Sequence, residues 1–213
     1  MSVKPIFFAL DGKSLNEFEF ELKKLKNKIY GVKVGLEMFI SEGPKVVTHL
    51  KDEGWNVFLD LKLHDIPNTV KEATKSAGNI GADYLTIHIS SSKEALYEAS
   101  VNKKESLKLL GVSSALTSKA IDTETSERVY LEFELAKESN VDGVICPPSE
   151  ITKSINIFDL VVSPGIRLKD DLSNDQKNIT TPEKAIADGA SYIVMGRSCL
   201  LYTSPSPRDT IRS

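Results

Sequence analysis

Short apolar runs recur along the chain at 6–10, 30–35, 57–62, 84–90, 107–116, 141–147, 160–166 and 192–198, and their β-branched and aromatic texture predicts strands. Between most of them the apolar positions switch to helical spacing. The segment 14–28 carries Leu15, Phe18, Leu22 and Leu25, and 36–53 carries Phe39, Ile40, Val46, Val47 and Leu50. Segments 69–80, 93–101, 125–139 and 182–188 continue the alternation. The last has a clear start signal, because Thr181 can cap the free amides and Pro182 tolerates the first helical position. Strand and helix in eightfold alternation predict parallel strands closed into a single (β/α)8 TIM barrel. A doubly wound open sheet is the alternative, but it normally uses fewer strands and a glycine-rich first turn, and none follows Asp11.

The third run breaks its own pattern. Val57, Phe58, Leu59, Leu61 and Leu63 read as a buried strand, yet Asp60 and Lys62 sit within it and Asp65 follows. Residues two apart on a strand face the same side, so an acid and a base are expected to emerge together. A structural ion pair is the plain explanation; a catalytic row of alternating charge is the sharper one, because buried charge is costly without a purpose. In a barrel the chemistry lies at the C-terminal ends of the strands. Asp11, Lys33, His88, Thr117, Ser118, Ser163 to Arg167, and Gly196 to Ser198 all fall at or just after such ends. The groups after strands seven and eight look like a phosphate grip, with Gly165 and Gly196 admitting a close backbone and Arg167 and Arg197 supplying charge. The polar segment 168–181 is too long for a simple connection and reads as a lid or disordered loop.

Composition narrows the rest. In 213 residues, 27 basic and 30 acidic side chains nearly cancel, which argues against a nucleic-acid or membrane surface held by bulk charge. Cys146 and Cys199 make neither a disulfide framework nor a metal-ligand pair, and His49, His64 and His88 form no cluster, so no metal is expected. Cys146 reads as a small core residue, and His64 as pointing away from the catalytic face. No stretch is long and apolar enough for a signal core or a membrane span, which leads to the expectation of a cytoplasmic protein. Residues 1–198 are expected to form the one barrel domain. The remainder, CLLYTSPSPRDTIRS at 199–213, contains Ser-Pro-Ser-Pro, which cannot propagate a helix. It reads as an assembly scar.

With these residues in place, the chain resembles the orotidine 5′-phosphate decarboxylase family, bacterial type. The resemblance rests on ALD at 9–11, Lys33 in GVKVG, DLKLHDIPNT at 60–69, LTS at 116–118, SPGIR at 163–167, DQ at 175–176, TPEKAI at 181–186 and MGRS at 195–198. It implies cofactor-independent conversion of orotidine 5′-monophosphate to uridine 5′-monophosphate (UMP), and a closing helix of the barrel after Ser198 that is missing or replaced in this chain. Asp60, Lys62 and Lys33 would form the charged network at the reacting carbon, with Lys62 as proton donor. Asp65, Ile66 and Thr69 would reach across a homodimer interface into the partner's site. Asp11 and Lys33 would hold the ribose, Thr117 or Ser118 the pyrimidine, and Pro164 would line the base pocket. Arg167, Gln176, Gly196 and Arg197 would hold the phosphate. A magnesium-dependent sugar-phosphate decarboxylase or aldolase of the same superfamily is the nearest rival, although HDIPNT and PGIR with DQ favour the nucleotide enzyme. A non-catalytic nucleotide-binding barrel is the rival from another class.

Overall fold

A computed structural model describes residues 3–116, 123–168 and 180–203. Eight parallel strands close in sequence order into a barrel: β1 (Lys4–Leu10), β2 (Ile29–Gly35), β3 (Asn56–Leu63), β4 (Tyr84–His88), β5 (Lys108–Val112), β6 (Gly143–Ile145), β7 (Val161–Ser163) and β8 (Tyr192–Met195). β8 pairs with β1 through Ile6 and Ile193, Phe7 and Val194, and Phe8 and Met195, so the described sheet has no open edge. The (β/α)8 expectation holds. Strands predicted as 107–116 and 160–166 are shorter than their apolar runs, since the chain turns at Ser113 and Pro164 to form the mouth.

The helices follow their predicted places with one correction. The single helix expected over 36–53 is two, α2 (Leu36–Glu42) and α3 (Lys45–Asp52). Gly43 stands between them at φ +70°, a left-handed conformation that glycine adopts without steric cost, and Pro44 opens the second helix. A 3-10 turn at Leu15–Phe18 leads into α1 (Glu19–Leu25); α4 (Pro67–Asn79), α5 (Lys93–Asn102) and α6 (Thr123–Glu138) follow. The short α7 (Ile151–Ser154) lies in a connection without helical periodicity to announce it, and α8 (Pro182–Ala187) starts on the Thr181 cap, which accepts from the Lys184 amide. α9 (Cys199–Tyr202) packs against α1, and Lys4 Nζ holds the Tyr202 carbonyl at 2.5 Å. Residues 204–213, most of the stretch expected to be an assembly scar, lie outside the described residues.

Two apolar clusters divide the core. The larger joins the outward faces of the strands to the helices, from Ile6, Phe8 and Leu10 through Leu50, Leu96 and Phe133. The smaller fills the barrel itself with Phe7, Ala9, Phe58, Tyr84, Leu110, Val112, Ile145, Val162 and Val194. Alternation along each strand assigns residues to one or the other. Cys146 falls in the outer cluster, fully buried, and burial pushes its thiol up to about 12.

Candidate active site at the barrel mouth

A cavity of about 780 Å³ opens at the C-terminal ends of the strands. Eight of the expected site residues line it: Asp11, Lys33, Asp60, Lys62, Pro164, Arg167, Gly196 and Arg197. Ile145, Pro147, Pro148, Leu116 and Val194 supply apolar wall that sequence reasoning did not single out, because nothing distinguishes such residues from core before the strand ends are placed.

The charges form a chain. Lys33 Nζ lies 3.1 Å from Asp11 Oδ1 and 3.6 Å from Asp60 Oδ2, and Lys62 Nζ lies 2.8 Å from both oxygens of Asp60. Asp60 is buried, flanked by two ammonium groups; Lys62 keeps 30 % of its side chain exposed toward the opening. An isolated buried carboxylate would be expensive, and the two cations with good geometry offset that cost. An ammonium has three N–H bonds, and Asp60 occupies at most two of those of Lys62.

The route by which Lys62 reaches this place corrects the simple alternation argument. Leu59 pairs with Leu85, and the next pair is Leu63 with Ile87, so β3 carries extra length against β4 at Asp60, Leu61 and Lys62. Lys62 itself has φ +51°, a left-handed conformation uncommon outside glycine. Its amide donates to Thr86 Oγ1 at 2.8 Å, and the Thr86 hydroxyl donates to Asp60 Oδ1 at 3.0 Å. Asp60 and Lys62 share a site through a bulge rather than a regular pleat.

At the opposite wall, Gly165 takes φ +76° and Gly196 has open space where a Cβ would stand. Arg197 Nε lies 3.2 Å from Glu21 Oε1 as an ion pair, and its guanidinium carbon lies 5.6 Å from the Phe18 ring centre. The Arg167 amide donates to the Thr180 carbonyl at 3.1 Å, pinning together the two ends of the segment that sequence analysis read as a lid. Gln176 in that segment, and Thr117 and Ser118 after β5, lie outside the described residues.

Asp65, Ile66 and Thr69 stand apart from the cavity. All three are exposed, Ile66 to 65 %, and Asp65 Oδ1 accepts from the Ile66 amide at 2.7 Å. His64 is exposed beside them and its ring lies 5.5 Å from that of His88. The His88 pKa is lowered from the ordinary histidine value, first by partial burial and then because His64 and Lys62 disfavour a further positive charge. Among the described residues, no group of three or more His, Cys, Asp or Glu is placed to hold a metal ion.

Fold and site together define a (β/α)8 barrel with an alternating Asp and Lys row facing an arginine-rimmed cavity, in the position where barrel enzymes work. The chain belongs to the orotidine 5′-phosphate decarboxylase / HUMPS family, whose profile matches residues 4–213. It is 37 % identical to orotidine 5′-phosphate decarboxylase of Halalkalibacterium halodurans, covering 96 % of this chain and 94 % of that protein. The Fusobacterium nucleatum enzyme of the same name is 39 % identical, over 96 % of this chain and 92 % of that one. Among solved structures, orotidine 5′-phosphate decarboxylase from Lactobacillus acidophilus superposes with a TM-score of 0.77 at 33 % identity, covering 97 % of this chain and 95 % of that one.

Proposed function

We propose that this chain decarboxylates orotidine 5′-monophosphate to UMP and carbon dioxide, with Lys62 protonating C6. The observation that carries the reading is the Lys33, Asp60 and Lys62 cluster, held at 2.8 to 3.6 Å in one cavity with Arg167 and Arg197. Loss of carbon dioxide from C6 leaves electron density on a ring carbon with no adjacent sink. The site must therefore stabilise a carbanion-like state and deliver a proton to it without a cofactor. A fixed ammonium does both, since its charge is aimed at the developing anion and its proton ends on C6.

Asp60 would face the departing carboxylate. Two like charges about 4 Å apart repel by about 4 kcal/mol in a partly screened site, whereas the largest enzymatic accelerations need roughly 20 kcal/mol. Ground-state repulsion is therefore a minor part of the reading. Its main supports are the fixed Lys62 charge, exclusion of water, and phosphate binding by Arg167, Gln176, Gly196 and Arg197 used to close the 168–181 segment. Asp11 and Lys33 would hold the ribose hydroxyls, Thr117 or Ser118 the pyrimidine, and Pro164 the base.

The reading includes a homodimer. The exposure of Asp65, Ile66 and Thr69, away from their own cavity, supports their reaching a partner's site. A cytoplasmic location is part of it; among the described residues no helix is long and apolar enough to cross a membrane.

The test is the ultraviolet absorbance of orotidine monophosphate mixed with purified protein, with and without a chelator. Loss of substrate absorbance that the chelator leaves unchanged is expected. Loss only without chelator would contradict the cofactor-independent reading; intact orotidine monophosphate together with chelator-sensitive turnover of a sugar phosphate would favour the magnesium-dependent class, and UMP binding with no turnover of either would leave a non-catalytic barrel.

A further inference from the structure

We infer that Thr86, which is not among the residues lining the cavity, is a positioning residue that sets the geometry of Lys62 and Asp60 for the reaction. The inference rests on the decarboxylase reading above and deepens it. Thr86 sits in the middle of β4, fully buried, opposite the extra length of β3. At a bulge the ladder is interrupted and a backbone amide loses its usual acceptor. Here the orphaned amide is that of Lys62, and Thr86 Oγ1 takes it at 2.8 Å.

The direction of both bonds is fixed by the chemistry of the groups. A backbone N–H can only donate, so Thr86 Oγ1 is the acceptor there. The hydroxyl has a single proton, and the Asp60 carboxylate, which accepts only, receives it at Oδ1 at 3.0 Å. One oxygen atom thus reads two positions at once: the left-handed backbone of Lys62, φ +51°, and the carboxylate that holds the Lys62 ammonium. With Thr86 and Lys62 on Oδ1 and Lys62 and Lys33 on Oδ2, the described contacts occupy both Asp60 oxygens. Threonine adds stiffness, because its branched Cβ restricts χ1 where serine rotates more freely.

Remove the hydroxyl and two things follow. The Lys62 amide has no acceptor from Thr86 and the bulge loses the bond that compensates its unfavourable backbone. Asp60 loses one donor and gains freedom to turn toward the lysines alone. Both displace the ammonium from the reacting carbon, while the arginine side of the cavity is untouched. The effect should therefore fall on turnover and spare nucleotide affinity.

The experiment compares Thr86→Val and Thr86→Ser with the parent chain, using orotidine monophosphate turnover and UMP affinity, each corrected for folded fraction. Thr86→Val keeps the shape and loses the hydroxyl; kcat should fall roughly 10- to 100-fold, the scale of a hydrogen bond to a charged group, with KM and UMP affinity within about threefold. Thr86→Ser should restore kcat to within about fivefold of the parent, because the donor and acceptor return. Thr86→Ala serves as the hydroxyl-free variant where the valine packs badly. A hydroxyl-free variant with parental kcat would overturn the inference. So would a serine variant as slow as the valine, which would make the methyl group the determinant, or a loss confined to KM. Absence of turnover in the parent chain itself would instead refute the decarboxylase reading.

Discussion

At the N-terminal end of the barrel the interior is aromatic: Phe7, Tyr30, Phe58, Tyr84 and Tyr192, with the Phe7 ring 5.2 to 5.3 Å from each of the others. At and just beyond the C-terminal ends of the strands the lining becomes Asp11, Lys33, Asp60, Lys62 and Gly196, with Thr86 buried beside Asp60. The tyrosine hydroxyls are paired, Tyr30 with Tyr84 at 2.8 Å, and burial raises both phenols, Tyr30 to about 12. That end presents aromatic rings and hydrogen-bonded phenols in place of the charges at the mouth. The mouth holds four interacting charges, a left-handed lysine and a bulge. Strain and buried charge collect where chemistry is proposed, and edge-to-face aromatic packing at the opposite end supplies stability to hold them.

If the two ends divide stability and chemistry in this way, Phe7→Ala has the largest effect on folding. The cavity it leaves should cost about 3–5 kcal/mol, measured by denaturant titration, while kcat per folded molecule stays within a few-fold. A large loss of kcat in the folded fraction would break the division. Arg197→Ala should act in the reverse sense, weakening UMP affinity about 10- to 100-fold through loss of a forked contact to phosphate, with little change in the denaturation midpoint. Unchanged affinity in a binding titration would count against a phosphate role.

The smallest effect concerns pH. His88 is held below its ordinary pKa, so as pH falls the unfolded chain takes up this proton before the folded chain does. The contribution is fully present above the unfolded value, about 6.5, and is lost progressively as pH falls toward the lower folded value. Denaturation curves between pH 7.5 and 5 should show that loss, and His88→Asn should flatten part of it; an unchanged slope would show that His88 is not among the groups responsible.

Much of this arrangement was legible in the chain. Strand ends were marked by the change from apolar to charged residues, so Asp11, Lys33, Asp60, Lys62, Pro164, Arg167, Gly196 and Arg197 were placed on one cavity by topology alone. Features that depend on how neighbouring strands slip against each other were not. The bulge at Asp60 to Lys62 follows from the register of β3 on β4, and alternation along β3 predicted the right neighbours for the wrong geometric reason. Thr86 looked like an ordinary β-branched strand residue, and its role exists only opposite that bulge. Glu21, which holds Arg197, was one acid among several on an amphipathic helix. The division of 36–53 at Gly43 and Pro44 was written in those two residues, but the continuing apolar spacing masked it.

The most direct test of the central claim is the time course of orotidine monophosphate absorbance with the parent chain and with Lys62→Ala, at matched folded protein and saturating substrate. The account predicts rapid loss with the parent and a rate at least about 10³-fold lower with the variant, the scale expected when a proton donor and a fixed charge are removed together. UMP should still bind the variant. Substantial turnover by Lys62→Ala would contradict the assignment of the C6 proton to this ammonium.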